Sequence, residues 1–234
     1  MKAMTLMGLL VVSGCCGGAS DRTIRHEQIL IDRSLSVPEE RFARFAEKVV
    51  AQADTWAASA KTSSSFRLWW MPAGKAYTYP ALDTTFVIGK LRPPVHSHRK
   101  RIRKSVRHGV GRVLASIPPT EKTPLLESIY YIGIGMPRGR GWRLTIYSDL
   151  LHDGETWSFP ARLDGLTDDE LIDQMKRICP PVDNPPSHIT IISWPGMVGS
   201  GRTSVVIHER IVKVYEAFFA DWAPGSQLEI GSIY

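Results

Sequence analysis

Cysteine is scarce, with three residues in 234, at positions 15, 16 and 179. That excludes a small domain held together by a framework of disulfides. Internal repeats and low-complexity blocks are absent, which excludes solenoids and fibrous chains. No Ser-His-Asp set can be assembled from the spacing, and no acid pair stands out except Asp32 and Asp149. The common routes to covalent and general acid-base catalysis therefore have no visible residues. What the chain does have is an ordinary globular composition: 43% apolar residues, and seven each of Trp, Tyr and Phe to fill a core. Its formal net charge is +6.

The apolar run at the N-terminus is too short to span a bilayer, which takes about 18 residues or more. It follows Lys2 and ends in Val12-Ser13-Gly14-Cys15. This resembles the bacterial lipobox, in which small residues precede a cysteine that is lipidated and becomes the new N-terminus. The resemblance implies a signal peptide over 1–14, a lipid on Cys15 with a tether over 15–25, and one domain over 26–234. It also implies a lipid-anchored protein of the cell envelope, on the periplasmic side. Residue 16 is Cys and not Asp, which by analogy favours the outer membrane over the inner. Residues 16–25 would reach at most about 33–36 Å from the anchor. Cys179 is expected to be unpaired and buried.

Along 26–234, strands are expected over 27–32, 66–71, 83–91, 142–148, 189–194 and 228–230. Helical periodicity runs from Phe42 to Trp56, from Ile102 to Ile117, from Thr123 to Ile132, after Thr167, and from Val205 to Trp222. Ser36 with Glu39 has the spacing of a capping box for the first helix. The order β, α, β, β, α, α, β, α, β, α, β predicts an α/β fold: a doubly wound, mostly parallel central sheet with helices on both faces, a Rossmann-like three-layer sandwich. Ligands of such sheets sit at strand carboxyl ends. Asp32 and Asp149 both fall there.

Asp32-Arg33-Ser34-Leu35-Ser36 has the pattern Asp-x-Ser-x-Ser directly after the first strand. Together with Thr123 before the third helix's apolar stripe and Asp149 after the fourth strand, it resembles the metal-ion-dependent adhesion site of von Willebrand factor type A domains. The resemblance covers about 26–230. It implies Mg²⁺ or Mn²⁺ held by Asp32, Ser34, Ser36, Thr123 and Asp149, and a partner protein that donates a carboxylate to the metal. The donor set is chemically coherent, because Mg²⁺ is a hard ion that prefers oxygen. Hydroxyl ligands are neutral and leave it electron-poor. Such a site calls for no nucleophile or general base, so binding is expected and not catalysis. Arg33 would have to point away, as alternation predicts.

Three other signals compete. Residues 99–107 hold six Lys or Arg. Interrupted by Ile102 and Val106 at helical spacing, they coat one helix face. Arg99, Lys100, Arg103, Lys104 and Arg107 are candidates for binding anionic lipid or nucleic acid; no stacking aromatics are interleaved, unlike a single-strand binder. Gly196–Thr203 is similar to a phosphate-binding loop with Arg202 in place of Lys. A Mg²⁺-dependent phosphohydrolase at the two aspartates is the enzymatic alternative. His96, His98 and His108 lack an accompanying Cys or carboxylate framework, and His152 with Asp153 reads as a surface loop beside Asp149.

Overall fold

A computed structural model of the chain describes residues 26–59, 64–71, 81–86, 95–138, 141–154, 157–159, 163, 165–195, 197–198, 201–202 and 205–232. Cys15, Cys16 and the expected signal and tether lie outside these residues. Strand β1 (His26–Ile31) is followed by helix α1 (Glu39–Ser59), strands β2 (Ser64–Trp70) and β3 (Leu82–Phe86), and helix α2 (Val95–Ser116). Then come α3 (Leu125–Ile134), β4 (Trp142–Tyr147), α4 (Asp168–Ile178) and β5 (His188–Ser193). A short pair β6 (Met197–Val198) and β7 (Gly201–Arg202), helix α5 (Val205–Trp222) and strand β8 (Gln227–Ser232) complete the order.

The six-stranded sheet runs β3-β2-β1-β4-β5-β8. Only β3 is antiparallel to its neighbour. The fold is the expected α/β doubly wound sandwich. Both faces of the sheet are covered, and every residue of β1 is buried, the polar His26, Glu27 and Gln28 as well as Ile29–Ile31. One face carries α1 and α2, whose stripes Phe45, Val49, Ala53 and Val106, Val110, Leu114 pack on Ile29, Ile31 and Phe66. The other carries α3, α4 and α5, with Ile129, Leu171, Phe218 and Trp222 packed on Leu30, Leu144 and Ile146. Cys179 is buried with a free thiol. Among the described residues no helix is long and apolar enough to cross a membrane.

Two local expectations need correction. The stretch read as a phosphate loop holds the antiparallel pair β6–β7, Met197 against Arg202 and Val198 against Gly201. A paired ladder occupies amides that a phosphate cradle would leave free. The capping box at Ser36 does not form, for the reason given below. The box that does form is at α4, where Thr167 accepts from the Glu170 amide and Glu170 accepts from the Thr167 amide.

Candidate metal centre

Strand order reverses between β1 and β4, where the chain winds outward in both directions. That switch point opens a crevice at the carboxyl ends of the strands. Ile31 is level with Tyr147, and the Asp32 amide donates to the Tyr147 carbonyl at 2.8 Å, carrying the ladder one residue further. Asp32 and Asp149 therefore leave adjacent strands at nearly the same height. Both are fully buried.

Each carboxylate is fixed by its own loop. Asp32 Oδ1 accepts from the Ser34 amide and Oδ2 from the Ser148 hydroxyl, both at 2.8 Å. Ser148 Oγ in turn accepts from the Leu150 amide at 3.0 Å. Asp149 Oδ1 accepts from the Leu151 amide at 3.0 Å. Between them Leu150 has φ +63°, the left-handed region that a branched side chain enters at a cost of about 1–3 kcal/mol. The turn thus holds a strained residue directly after the second aspartate.

Ser34 and Ser36 share a hydrogen bond between hydroxyls at 2.8 Å. The Ser36 hydroxyl also favours the charged form of Asp149. It faces the crevice and so does not cap α1, while Glu39 pairs with Arg33. The Arg33 guanidinium stacks over the Phe42 ring at 4.1 Å, turned away from the aspartates. Among the described residues neither aspartate has an ion-pair partner.

Burial raises both acids above the usual carboxylate range. Asp149 is pushed up to about 8 by burial first and by the charge of Asp32 second, with Ser36 and the Leu151 amide opposing. Asp32 moves the same way through burial, moderated by Ser34 and Ser148. Asp149 Oδ2 is buried with no hydrogen-bond partner. Without a counter-ion Asp149 is therefore mostly protonated at neutral pH, and a cation beside the two carboxyls would take the place of that proton. A hard divalent cation fits that donor set, which consists of oxygen atoms alone. No group of three His, Cys, Asp or Glu side chains converges among the described residues, so the hydroxyls have to complete any such site.

The threonine is less simple. The residue bonded to the Asp-x-Ser-x-Ser loop is Thr120. Its amide donates to the Arg33 carbonyl at 2.9 Å, and its carbonyl accepts from the Leu35 amide at 2.8 Å. Thr123 is also buried, but its backbone pairs with Asp153 on the loop after β4. Sequence reasoning passed over Thr120 and Ser148. Ser148 carried a usable signal, a polar residue ending an apolar strand beside an acid. Thr120 carried none, since its loop has no periodicity.

The loop after Asp149 is not a surface loop. His152 is fully buried and stacks on Trp157 at 5.3 Å. Its Nδ1 accepts from the Leu126 amide at 3.4 Å, and burial pushes its pKa down to about 4, so the ring is neutral at physiological pH. Trp157 leads to Phe159, and Phe159 stacks on Tyr215 of α5 at 5.9 Å. This chain of rings anchors the Asp149 loop to the helical layer.

On the basic helix, Lys100, Lys104 and Arg107 are exposed, while Arg103 pairs with Asp54 of α1. Arg99 lies on α2, with its side chain outside the described residues.

No protein-family model and no curated protein sequence matches this chain. Among solved structures it is similar to an aerotolerance-related membrane protein from Bacteroides fragilis, at 9% identity and TM-score 0.37, over 88% of this chain and 90% of that one. It is also similar to BatB, a conserved hypothetical protein from Bacteroides thetaiotaomicron, at 9% identity and TM-score 0.38, over 89% and 91%. The fold assignment rests on strand order and register alone.

Proposed function

We propose that this is a von Willebrand factor A-like domain, lipid-anchored through Cys15 in the cell envelope, which binds a partner protein through Mg²⁺ or Mn²⁺. Asp32, Ser34, Ser36 and Asp149 would hold the ion, with a threonine hydroxyl from the 120–123 loop, Thr123 in the sequence pattern. The observation that supports this most is the unpartnered Oδ2 of buried Asp149 beside Asp32. When bound, the ion neutralises the two carboxylates and offers its remaining position to an anionic oxygen of the partner. The chain's own part would be to present these oxygens from three loops, 32–36, 120–123 and the turn after β4, and to keep Arg33 away.

The test is thermal melting with and without metal. A ligand that binds only the native state stabilises it by about 2.7 kcal/mol at a hundred times Kd. Millimolar Mg²⁺ should therefore raise Tm, and Asp32→Ala should remove the rise. Asp149→Asn should also remove it, and above about pH 8, where the parent's Asp149 ionises beside Asp32, it should raise the metal-free Tm as well. A parent protein that melts identically in Mg²⁺, Mn²⁺ and EDTA, and captures its partner equally well in EDTA, would sink the adhesion reading.

A further inference from the structure

Helix α2 carries seven Lys or Arg and no acid over Val95–Ser116, while the whole chain has a formal excess of only +6. The protein's net charge is therefore concentrated on one helix. Arg103 is held by Asp54. Among the described residues Lys100, Arg101, Lys104, Arg107 and Arg112 are exposed or reach the surface with no ion pair.

Part of this face is hollow. Lys104, Arg107, His108, Gly111, Arg112 and Ala115 recur at helical spacing and line an open groove of about 520 Å³, closed on the α1 side by Val50. Gly111 opens onto it, and a Cβ built there would meet nothing within 4 Å. The lining is thus a rim of three permanent cations around a floor of Val50, Gly111 and Ala115. It holds no acid, and its single ring is the imidazole of His108, with no Trp, Tyr or Phe. Cations with aromatic platforms would suit single-stranded nucleic acid. Cations around a shallow apolar floor suit the phosphate of a membrane lipid, whose acyl chains lie next to the phosphate's glycerol ester and are apolar.

We infer that the α1–α2 groove docks the domain on an anionic phospholipid surface, with Lys104, Arg107 and Arg112 meeting the headgroup phosphates. The groove shares no residue with the aspartate site, so this inference stands whether or not that site holds metal.

The experiment is co-sedimentation of the full chain, as Cys15→Ala, with vesicles of phosphatidylcholine alone or mixed with phosphatidylglycerol. Any apolar N-terminal contribution acts on both, and the preference for the anionic vesicle reads the groove. Each basic side chain near an anionic surface contributes about a fivefold gain in partition, screened by salt. The triple variant K104Q/R107Q/R112Q should lose the anionic preference by on the order of a hundredfold at low salt, with Tm unchanged because these side chains are exposed. A charge-matched control, K122Q/R177Q/K213Q, should keep most of the preference. Equal loss in both variants would overturn the inference in favour of diffuse net charge. Displacement by inorganic phosphate at constant ionic strength would make the groove a free-anion site. Tighter, groove-dependent binding to duplex DNA than to the anionic vesicle would replace the lipid with nucleic acid.

Discussion

Glu27 is buried on β1 under α1, within a network of neutral partners. Gln52 Nε2 donates to Glu27 Oε1 at 2.6 Å and to Thr145 Oγ1 at 2.9 Å, and the Tyr147 hydroxyl donates to Gln52 Oε1 at 2.9 Å. Burial pushes Glu27 up to about 7, with Gln52 and Arg143 opposing. In the unfolded chain it returns to about 4.5. Between these values the native state holds a proton that the unfolded state has lost. Stability must therefore fall as pH rises through this window, by up to about 1.4 kcal/mol per pH unit. Glu27→Gln keeps the acceptor for Gln52 and removes the titration. Urea melts at about pH 5 and pH 8 should show a flatter dependence in the variant than in the parent; parallel dependences would mean that Glu27 does not titrate there. Gly154 makes a second residue-scale case. A Cβ there would lie 2.5 Å from Glu127 Oε1 and 2.9 Å from His152 Nε2. Glu127 is partly exposed and can swing aside, but buried His152 cannot. Gly154→Ala should cost about 1–3 kcal/mol, read as a lowered Tm, and an unchanged Tm would show that the Asp149 loop is softer than its ring contacts indicate.

Elements were more legible than the contacts between them. The run Ile29–Ile31 stands out because a parallel sheet covered on both faces needs apolar residues at consecutive positions, and Ile189–Ile192 stands out for its β-branched residues despite Thr190. Helix α5 stands out because Ile211, Val214, Tyr215, Phe218, Phe219 and Trp222 keep helical spacing, and all of them are buried. Phe218 lies in T-shaped contact with Phe219 at 5.1 Å and stacks on Trp222 at 6.3 Å. Phe218→Ala should cost about 3–5 kcal/mol, whereas Val206→Ala, at a residue 74% exposed, should stay within about 0.5 kcal/mol. Similar urea midpoints for the two would contradict the assigned packing of α5. Pairing across the chain left no such periodic mark. Ser36 and Glu39 have the spacing of a cap, yet Ser36 turns to Asp149 on the loop after β4 and Glu39 pairs with Arg33 six residues before it. Met197–Arg202 forms a ladder that a glycine-rich stretch with no alternation does not announce. The two aspartates were legible because each directly ends a recognisable strand. Arg112 lay outside the dense run at 99–107, and only the groove shows that it continues the same stripe.

At the scale of the whole molecule, the two proposed modes of membrane attachment rest on different chemistry, and they can be separated. Acyl chains on Cys15 would hold the protein hydrophobically, at about 0.8 kcal/mol per buried CH₂, with little response to salt. The α1–α2 groove would hold it electrostatically, within a Debye length of about 8 Å at physiological ionic strength. Ten residues between Cys15 and His26 would be long enough for the domain to reach the surface and would not by themselves orient it. Linked sites of this kind raise each other's occupancy through effective concentration, with no new contact. The parent should therefore stay in the membrane fraction through a high-salt wash. So should K104Q/R107Q/R112Q, because the proposed anchor at Cys15 is untouched. Cys15→Ala should leave the membrane or fail to mature, and any remaining membrane fraction should be released by salt. Combining the variants should abolish even the low-salt association. If Cys15→Ala fractionates and migrates like the parent after the salt wash, the lipid anchor is wrong. If the groove variant alone releases the domain, the charges and not the acyl chains are the principal attachment.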